Sequence, residues 1–198
     1  MMQQYHEAKS VAGEALLLFR MGDFYELFFE DAQRAAELLG LALTSREKGE
    51  NPIPMAGFPH HQLDGYLAKI IAAGHRAAVC EQVEEARHAK GLVRREVTRI
   101  VTPGTVTDDA LLNPAASNFL AAVVADDKAQ AIGMAWIDLS TGSFEATAQS
   151  SDAFPDELAR IAPAELLMAD GAELAPGLLA CTVTTRPEWE FAFYSGSA

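Results

Sequence analysis

LLLFRMGDFYELFFEDA, residues Leu16 to Ala32, decides the fold of the first half of the chain. It packs four aromatic rings, Phe24, Tyr25, Phe28 and Phe29, into six residues and threads Asp23, Glu26, Glu30 and Asp31 between them. The part up to Gly22 reads as a strand, because a short apolar run is stopped there by a glycine. After Gly22 the period turns helical, with Leu27, Phe28, Asp31, Ala35, Leu38 and Leu39 roughly on one side. Asp23, with Glu26 three residues on, has the spacing of a capping box, and Gly40 is a natural stop. The expectation is a strand followed by one helix from Asp23 to Gly40, with Phe28 in the core. Phe24 sits at the strand-to-helix turn. Either it plugs the core while Glu26 closes the cap, or both turn outward toward one ligand.

Working outward, residues 1–17 read as a helical entry with an awkward Gly13. LALTSR reads as a short strand, EKGENPIP as a loop, and LDGYLAKIIAAG as a helix closed by Gly74. RAAVCEQV is a buried type of strand, and REVTRIVTPG alternates before a Pro-Gly turn. LLNPAASN, residues 111–118, looks like a boundary, giving domains of 1–113 and 114–198. After it FLAAVVAD, AIGMAWIDLS and SFEATAQ form a three-strand meander. A helix from Asp156 to about Arg160 and the runs AELLMAD and LLACTVTTR follow. That order is the start of a ribonuclease H-like layer. No complete layer fits before residue 198, so the chain is expected to stop inside its second domain. The fold class is mixed α/β.

The chain has 198 residues, 49% of them hydrophobic, enough to bury a real core. No apolar run approaches the roughly 18 to 20 residues of a membrane span, and no signal-peptide pattern opens the chain. Cys80 and Cys181 form no CxxC pair, so neither a disulfide framework nor a zinc ribbon is indicated. The plain expectation is a cytoplasmic protein with no membrane partner. The net charge of -13 opposes binding to nucleic acid, yet it is unevenly spread. Up to Asn113 there are 12 basic and 16 acidic residues, and beyond it 3 and 12. Arg87, Lys90, Arg94, Arg95 and Arg99 fall within one short stretch beside a single acid, Glu96. A local basic patch on an acidic protein is therefore open.

Catalytic signatures are sparse. There is no GxxxxGK[ST], GxGxxG after a strand, GxSxG or HExxH. His60 and His61 with Asp64 could meet a metal, but adjacent histidines point apart on most backbones, and loop packing is the default. Asp126, Asp127 and Asp138 raise two-metal nuclease chemistry on the ribonuclease H-like half as an alternative function. Turn aspartates have ordinary uses too. A third alternative is a protein-interaction domain with no nucleic-acid contact.

Taken together, MMQQYHEAK, LLLFRMGDFYELFFEDA, IPMAGFPHH with YLAKI, AVCEQVE and RIVTPGT resemble the opening of the bacterial MutS family of DNA mismatch-recognition proteins. NFLAAVV, GMAWIDLSTGSF and PAELLMAD resemble the start of that family's connector domain. The resemblance covers essentially the whole chain in order. It implies a mixed-sheet mismatch-recognition domain flanked by helices, then an incomplete ribonuclease H-like connector domain. It also implies that Phe24 is a wedge entering the minor groove to stack on a mismatched or unpaired base, and that Glu26 hydrogen-bonds that base. Arg46 and Arg95 fall where phosphate contacts are expected. A carboxylate can donate to a base nitrogen only when protonated, so Glu26 is expected to be protonated in that contact. For the full-length family the resemblance implies a homodimer, ATP and magnesium in an ATPase domain, and a MutL-type partner reached through the connector domain. The 198 residues themselves are expected to be a piece of such a protein, with no cofactor and no catalytic residue. His60 stands where the family more often has Tyr.

Overall fold

Leu16, Leu17, Leu18 and Phe19 are buried on both sides of a strand, which a continuous apolar run does in the middle of a sheet. The computed structural model describes residues 1–45, 52–84, 91–113, 115–126, 130–172 and 181–192. Its contacts divide into two compact units, Met1–Thr102 and Pro103–Ala198. The sequence puts the boundary at 113/114. In the structure Pro103–Thr105 packs with the second sheet, where the Gly104 N–H donates to Glu165 at 3.0 Å.

The first unit is a six-stranded mixed sheet, and β1 (Leu16–Met21) lies near its centre. β2 (Phe24–Phe28) and β5 (Ala77–Gln82) flank β1, antiparallel and parallel to it respectively. Beyond β2 come β4 (Pro54–Pro59) and the two-residue β3 (Thr44–Ser45), and beyond β5 comes the edge strand β6 (Arg95–Val101). α1 (Met2–Ala12) covers one face, where Tyr5, Ala8 and Ala12 pack with Leu17, Phe19, Phe28 and Cys80. On the other face α3 (Leu63–Ala72) stacks Tyr66 on Phe58, and α2 (Phe29–Leu39) packs against β4 and α3.

The expected single helix from Asp23 is corrected here. Residues 24–28 are a strand, and the helix begins only at Phe29, with Phe28 as N-cap and no side-chain cap bond. The capping box of Asp23 and Glu26 is absent for that reason. Met21 and Phe24 pair across a two-residue turn whose first residue, Gly22, has φ +60°. Glycine adopts that φ without a Cβ penalty, and the turn feeds the chain back antiparallel. The aromatic run Phe-Tyr-Glu-Leu-Phe then fits a pleated surface better than a helix. Phe28 is nonetheless fully buried, as its period indicated. LALTSR likewise contributes only Thr44 and Ser45 to a strand among the described residues.

Asp31, in the first turn of α2, is buried and ties three elements together. It accepts from the Leu17 N–H of β1 at 3.0 Å and pairs with Lys9 of α1 at 2.8 Å. Lys9 also donates to the Ala15 carbonyl at 2.8 Å. The cysteine beneath α1 is inert, because burial pushes the Cys80 thiol up to about 11.

In the second unit β7 (Phe119–Asp126), β8 (Ala131–Asp138) and β9 (Ser143–Ser150) form the expected meander. α4 (Phe154–Ile161) then leads to β10 (Glu165–Ala169), parallel to β7, and to β11 (Thr182–Arg186), parallel to β10. The sheet order is β11-β10-β7-β8-β9. Phe154, Leu158 and Ile161 of α4 bury Ala121, Met134, Trp136 and Leu166. Among the described residues no helix is long and apolar enough to cross a membrane.

Asp138 is spent on the turn after β8. It accepts from the Ser140 N–H at 2.9 Å, the Ser140 hydroxyl at 2.6 Å and the Asn118 N–H at 3.3 Å.

Two outcomes test these buried carboxylates. Asp31→Ala strips the Leu17 N–H and Lys9 of their acceptor and is expected to cost about 2 to 3 kcal/mol, since Lys9 can return to water. Asp31→Asn, which keeps an acceptor for Leu17, is expected to cost less; calorimetric melting reads both. In the second unit the Ser140 hydroxyl, helped by backbone N–H groups, holds the Asp138 carboxyl below the usual carboxylate range. Its contribution to stability is therefore complete above the unfolded value of about 3.9 and lost as pH falls through the lower native value. Acid unfolding followed by tryptophan emission is expected to be less steep in Asp138→Asn, and an unchanged profile contradicts that assignment.

Candidate nucleic-acid interface

Because residues 24–28 form a strand, positions two apart share a face. Tyr25 and Leu27 point into the core beneath α2 and α3, whereas Phe24, Glu26 and Phe28 take the opposite face. α1 covers Phe28 with Tyr5, whose hydroxyl donates to the Phe28 carbonyl at 3.3 Å. Phe24 lies beyond the reach of α1 and remains 48% exposed, so it does not plug the core. The sequence placed Phe24 and Glu26 at a strand-to-helix turn, where they could converge only from different sides. The hairpin sets them side by side instead.

Cross-strand partners complete the surface. Phe24 stands between Met21 of β1 and Pro59 of β4, and Glu26 between Phe19 and Gly57. In the sequence Gly57 stands out only as part of IPMAG, yet the site needs it. A Cβ there would lie 2.8 Å from the Tyr25 carbonyl and 3.6 Å from the Glu26 Cγ. A glycine inside a strand signals such a close approach, and that clue was available in the sequence. His60 pins the turn: its N–H donates to the Asp23 carbonyl at 2.8 Å, and its Nδ1 lies 3.2 Å from the same oxygen.

Behind the exposed face, the Tyr25 hydroxyl donates to Glu81, Arg20 pairs with Glu81 at 3.7 Å, and the Arg20 guanidinium lies 5.5 Å from the Tyr25 ring. Burial first, and the Glu81 carboxylate second, raise the Tyr25 pKa, so the phenol keeps its proton.

Arg95 reaches over β5 to β1. Its Nε donates to the Arg20 carbonyl at 2.6 Å and its Nη1 to the Val93 carbonyl at 2.7 Å and the Gln4 Oε1 at 3.4 Å. The guanidinium lies 5.4 Å from the Phe19 ring. Burial lowers its pKa, with Cys80 and Glu26 acting in the opposite direction. Arg94 is exposed and paired with Glu96 at 3.1 Å. Arg46, Arg87 and Lys90 lie outside the described residues, as does Asp127.

The metal readings gain nothing from the geometry. The His60 and His61 rings are 6.0 Å apart and nearly perpendicular. Among the described residues no group of three or more His, Cys, Asp or Glu is placed to hold a metal ion.

Residues 1–110 match the family described as MutS domain I, and residues 118–197 the family described as MutS domain II. The chain belongs to the MutS family. Relatives named DNA mismatch repair protein MutS include one from Rhodopirellula baltica, 55% identical over 97% of this chain and 24% of its own length. One from Methanothrix thermoacetophila is 49% identical over 88% of this chain and 20% of its own. Another, from Myxococcus xanthus, is 48% identical over 89% and 20%. The chain thus spans between a fifth and a quarter of the length of these MutS relatives.

The surface makes a stability ordering checkable by thermal melting. Phe24→Ala is expected to cost less than about 1 kcal/mol, whereas Phe28→Ala costs about 3 to 5. Gly57→Ala is expected to fall between them, because backbone and not a flexible side chain would have to yield. A Phe24→Ala cost equal to that of Phe28→Ala would return Phe24 to the core.

Proposed function

We propose that the first unit recognises mispaired or unpaired bases in double-stranded DNA. Phe24 enters the minor groove and stacks on the defective base, and Glu26 hydrogen-bonds the same base. The observation that carries this reading is the half-exposed Phe24 ring beside Glu26 on one open strand face, within the half that matches MutS domain I. An aromatic wedge costs a few kcal/mol of unstacking, least where pairing is already broken, so the defect selects itself. Discrimination thus comes from the deformability of the duplex and not from its sequence. Arg46 is the phosphate contact in this proposal.

The second unit serves as connector, and the larger protein works as a homodimer that hands on to a MutL-type repair protein. The ATP and magnesium implied for the full-length family find no phosphate-binding loop in these 198 residues, and no step here runs through them. We assign the chain no catalytic step. The nuclease alternative is not favoured, since the MutS relatives are named for mismatch repair and the Asp138 oxygens are held by Ser140 and Asn118.

Affinity of the 198-residue chain is expected to be modest. Stacking one ring contributes about 1 to 3 kcal/mol, against at least about 4 for association. With a net charge of -13 there is little long-range attraction to DNA. Fluorescence titration of a G·T duplex and its fully paired control is expected to give micromolar binding at low salt, lost near physiological salt. Phe24→Ala is expected to bind both duplexes alike while keeping its melting temperature. Glu26→Gln removes a carboxylate that repels every duplex, so it is expected to bind the paired control more tightly and to discriminate less. Retained G·T preference in Phe24→Ala overturns the wedge assignment.

A further inference from the structure

We propose that Arg95 is a positioning residue for the mismatch surface, holding the Phe24–Glu26 strand in place from its own side of the sheet, and not a phosphate contact. This deepens the mismatch reading and rests on it.

In an antiparallel hairpin, hydrogen-bonded and non-hydrogen-bonded pairs alternate. Met21 and Phe24 close the two-residue turn, so the next pair, Arg20 with Tyr25, is non-hydrogen-bonded, and the Arg20 carbonyl faces away from β2. On that side lies β5, but the β1–β5 ladder ends one residue earlier, at Phe19 and Cys80. The Arg20 carbonyl would be left without a strand partner just before the turn that carries Phe24. Arg95 supplies the missing donor at 2.6 Å.

Nη1 is committed in the same direction. It donates to Val93 and Gln4, fixing the fork between β6 and α1, and the guanidinium plane covers Phe19. Phe19 is the residue opposite Glu26, and the Glu26 carboxylate acts electrostatically on Arg95. One side chain therefore meets two parts of the platform, the carbonyl before the turn and the ring opposite Glu26. Around it stand Gln4 of α1, Cys80 of β5 and Glu26 of β2. A guanidinium whose Nε and Nη1 are held by Arg20, Val93 and Gln4 is poorly disposed to follow a phosphate. A lysine could keep the charge but cannot reproduce the planar fork.

The test compares the 198-residue chain with Arg95→Lys and Arg95→Ala. Binding of paired and G·T duplexes is measured at several salt concentrations, and amide hydrogen exchange is followed at Phe24, Tyr25 and Glu26. For a positioning residue, Arg95→Lys brings G·T preference down to that of Phe24→Ala. Its paired-duplex affinity and salt slope stay as in the parent, and exchange at the three amides rises about tenfold or more. For a phosphate contact, Arg95→Lys binds like the parent, and Arg95→Ala weakens both duplexes equally and lowers the salt slope by about one; that result overturns the proposal. Should Arg95→Ala fail to fold, Arg95→Lys alone decides by the same criteria. If the parent itself shows no G·T preference, the mismatch reading fails. Exchange then judges the positioning role separately: faster exchange in Arg95→Lys upholds it, and unchanged exchange refutes it.

Discussion

Gly22 turns the chain back at φ +60°, and that turn decides which face each of the next five side chains takes. With a two-residue connection the register is set at Met21–Phe24, and a slip by one residue would exchange the faces. Tyr25 and Leu27 would then point where Phe24 and Glu26 now point, and the core would lose a fully buried tyrosine and leucine. Burial of those two residues therefore fixes the exposure of the other two. The open face is a by-product of a well-filled closed one.

The same strand is gripped from both sides. Glu81 and Arg20 hold Tyr25 on one face, and Arg95 and Phe19 support the region of Glu26 on the other. Asp31 joins α2 to both α1 and β1 at the far end of the strand, so its exit is as constrained as its entry. Phe29, the first residue of α2, has φ +55°, an unusual conformation for a bulky residue. It is tolerated where the chain must leave the sheet abruptly, and its ring packs against Tyr5 and His6. Contacts on both faces of one short strand hold its exposed side chains in a fixed geometry.

Much of this architecture could be read from residues alone. The LLLF run, the meander of the second unit and the helix at Leu63 all announced themselves by period. The second half of FRMGDFYELF did not. Its apolar residues satisfy a helical period and a strand period about equally, and over five residues no pattern separates the two. Only pairing with β1 and β4 settles the matter, and pairing is a tertiary fact. Phe24 and Glu26 were marked by resemblance, but their shared face came from the strand. The guanidinium of Arg95 was beyond the sequence altogether, because its partners, Gln4 and Arg20, lie 91 and 75 residues away.

Glu165 has a consequence for how the two halves can be separated. Its buried carboxylate accepts from the Thr184 hydroxyl at 2.6 Å and from the Gly104 N–H at 3.0 Å, and a Cβ at Gly104 would lie 2.7 Å from the Glu165 Cβ. Pro103–Thr105 thus behaves as an extra piece of the second sheet's floor. Dissection between 113 and 114, where the sequence looks like a linker, would part Gly104 from Glu165 and strip a buried acid of a donor.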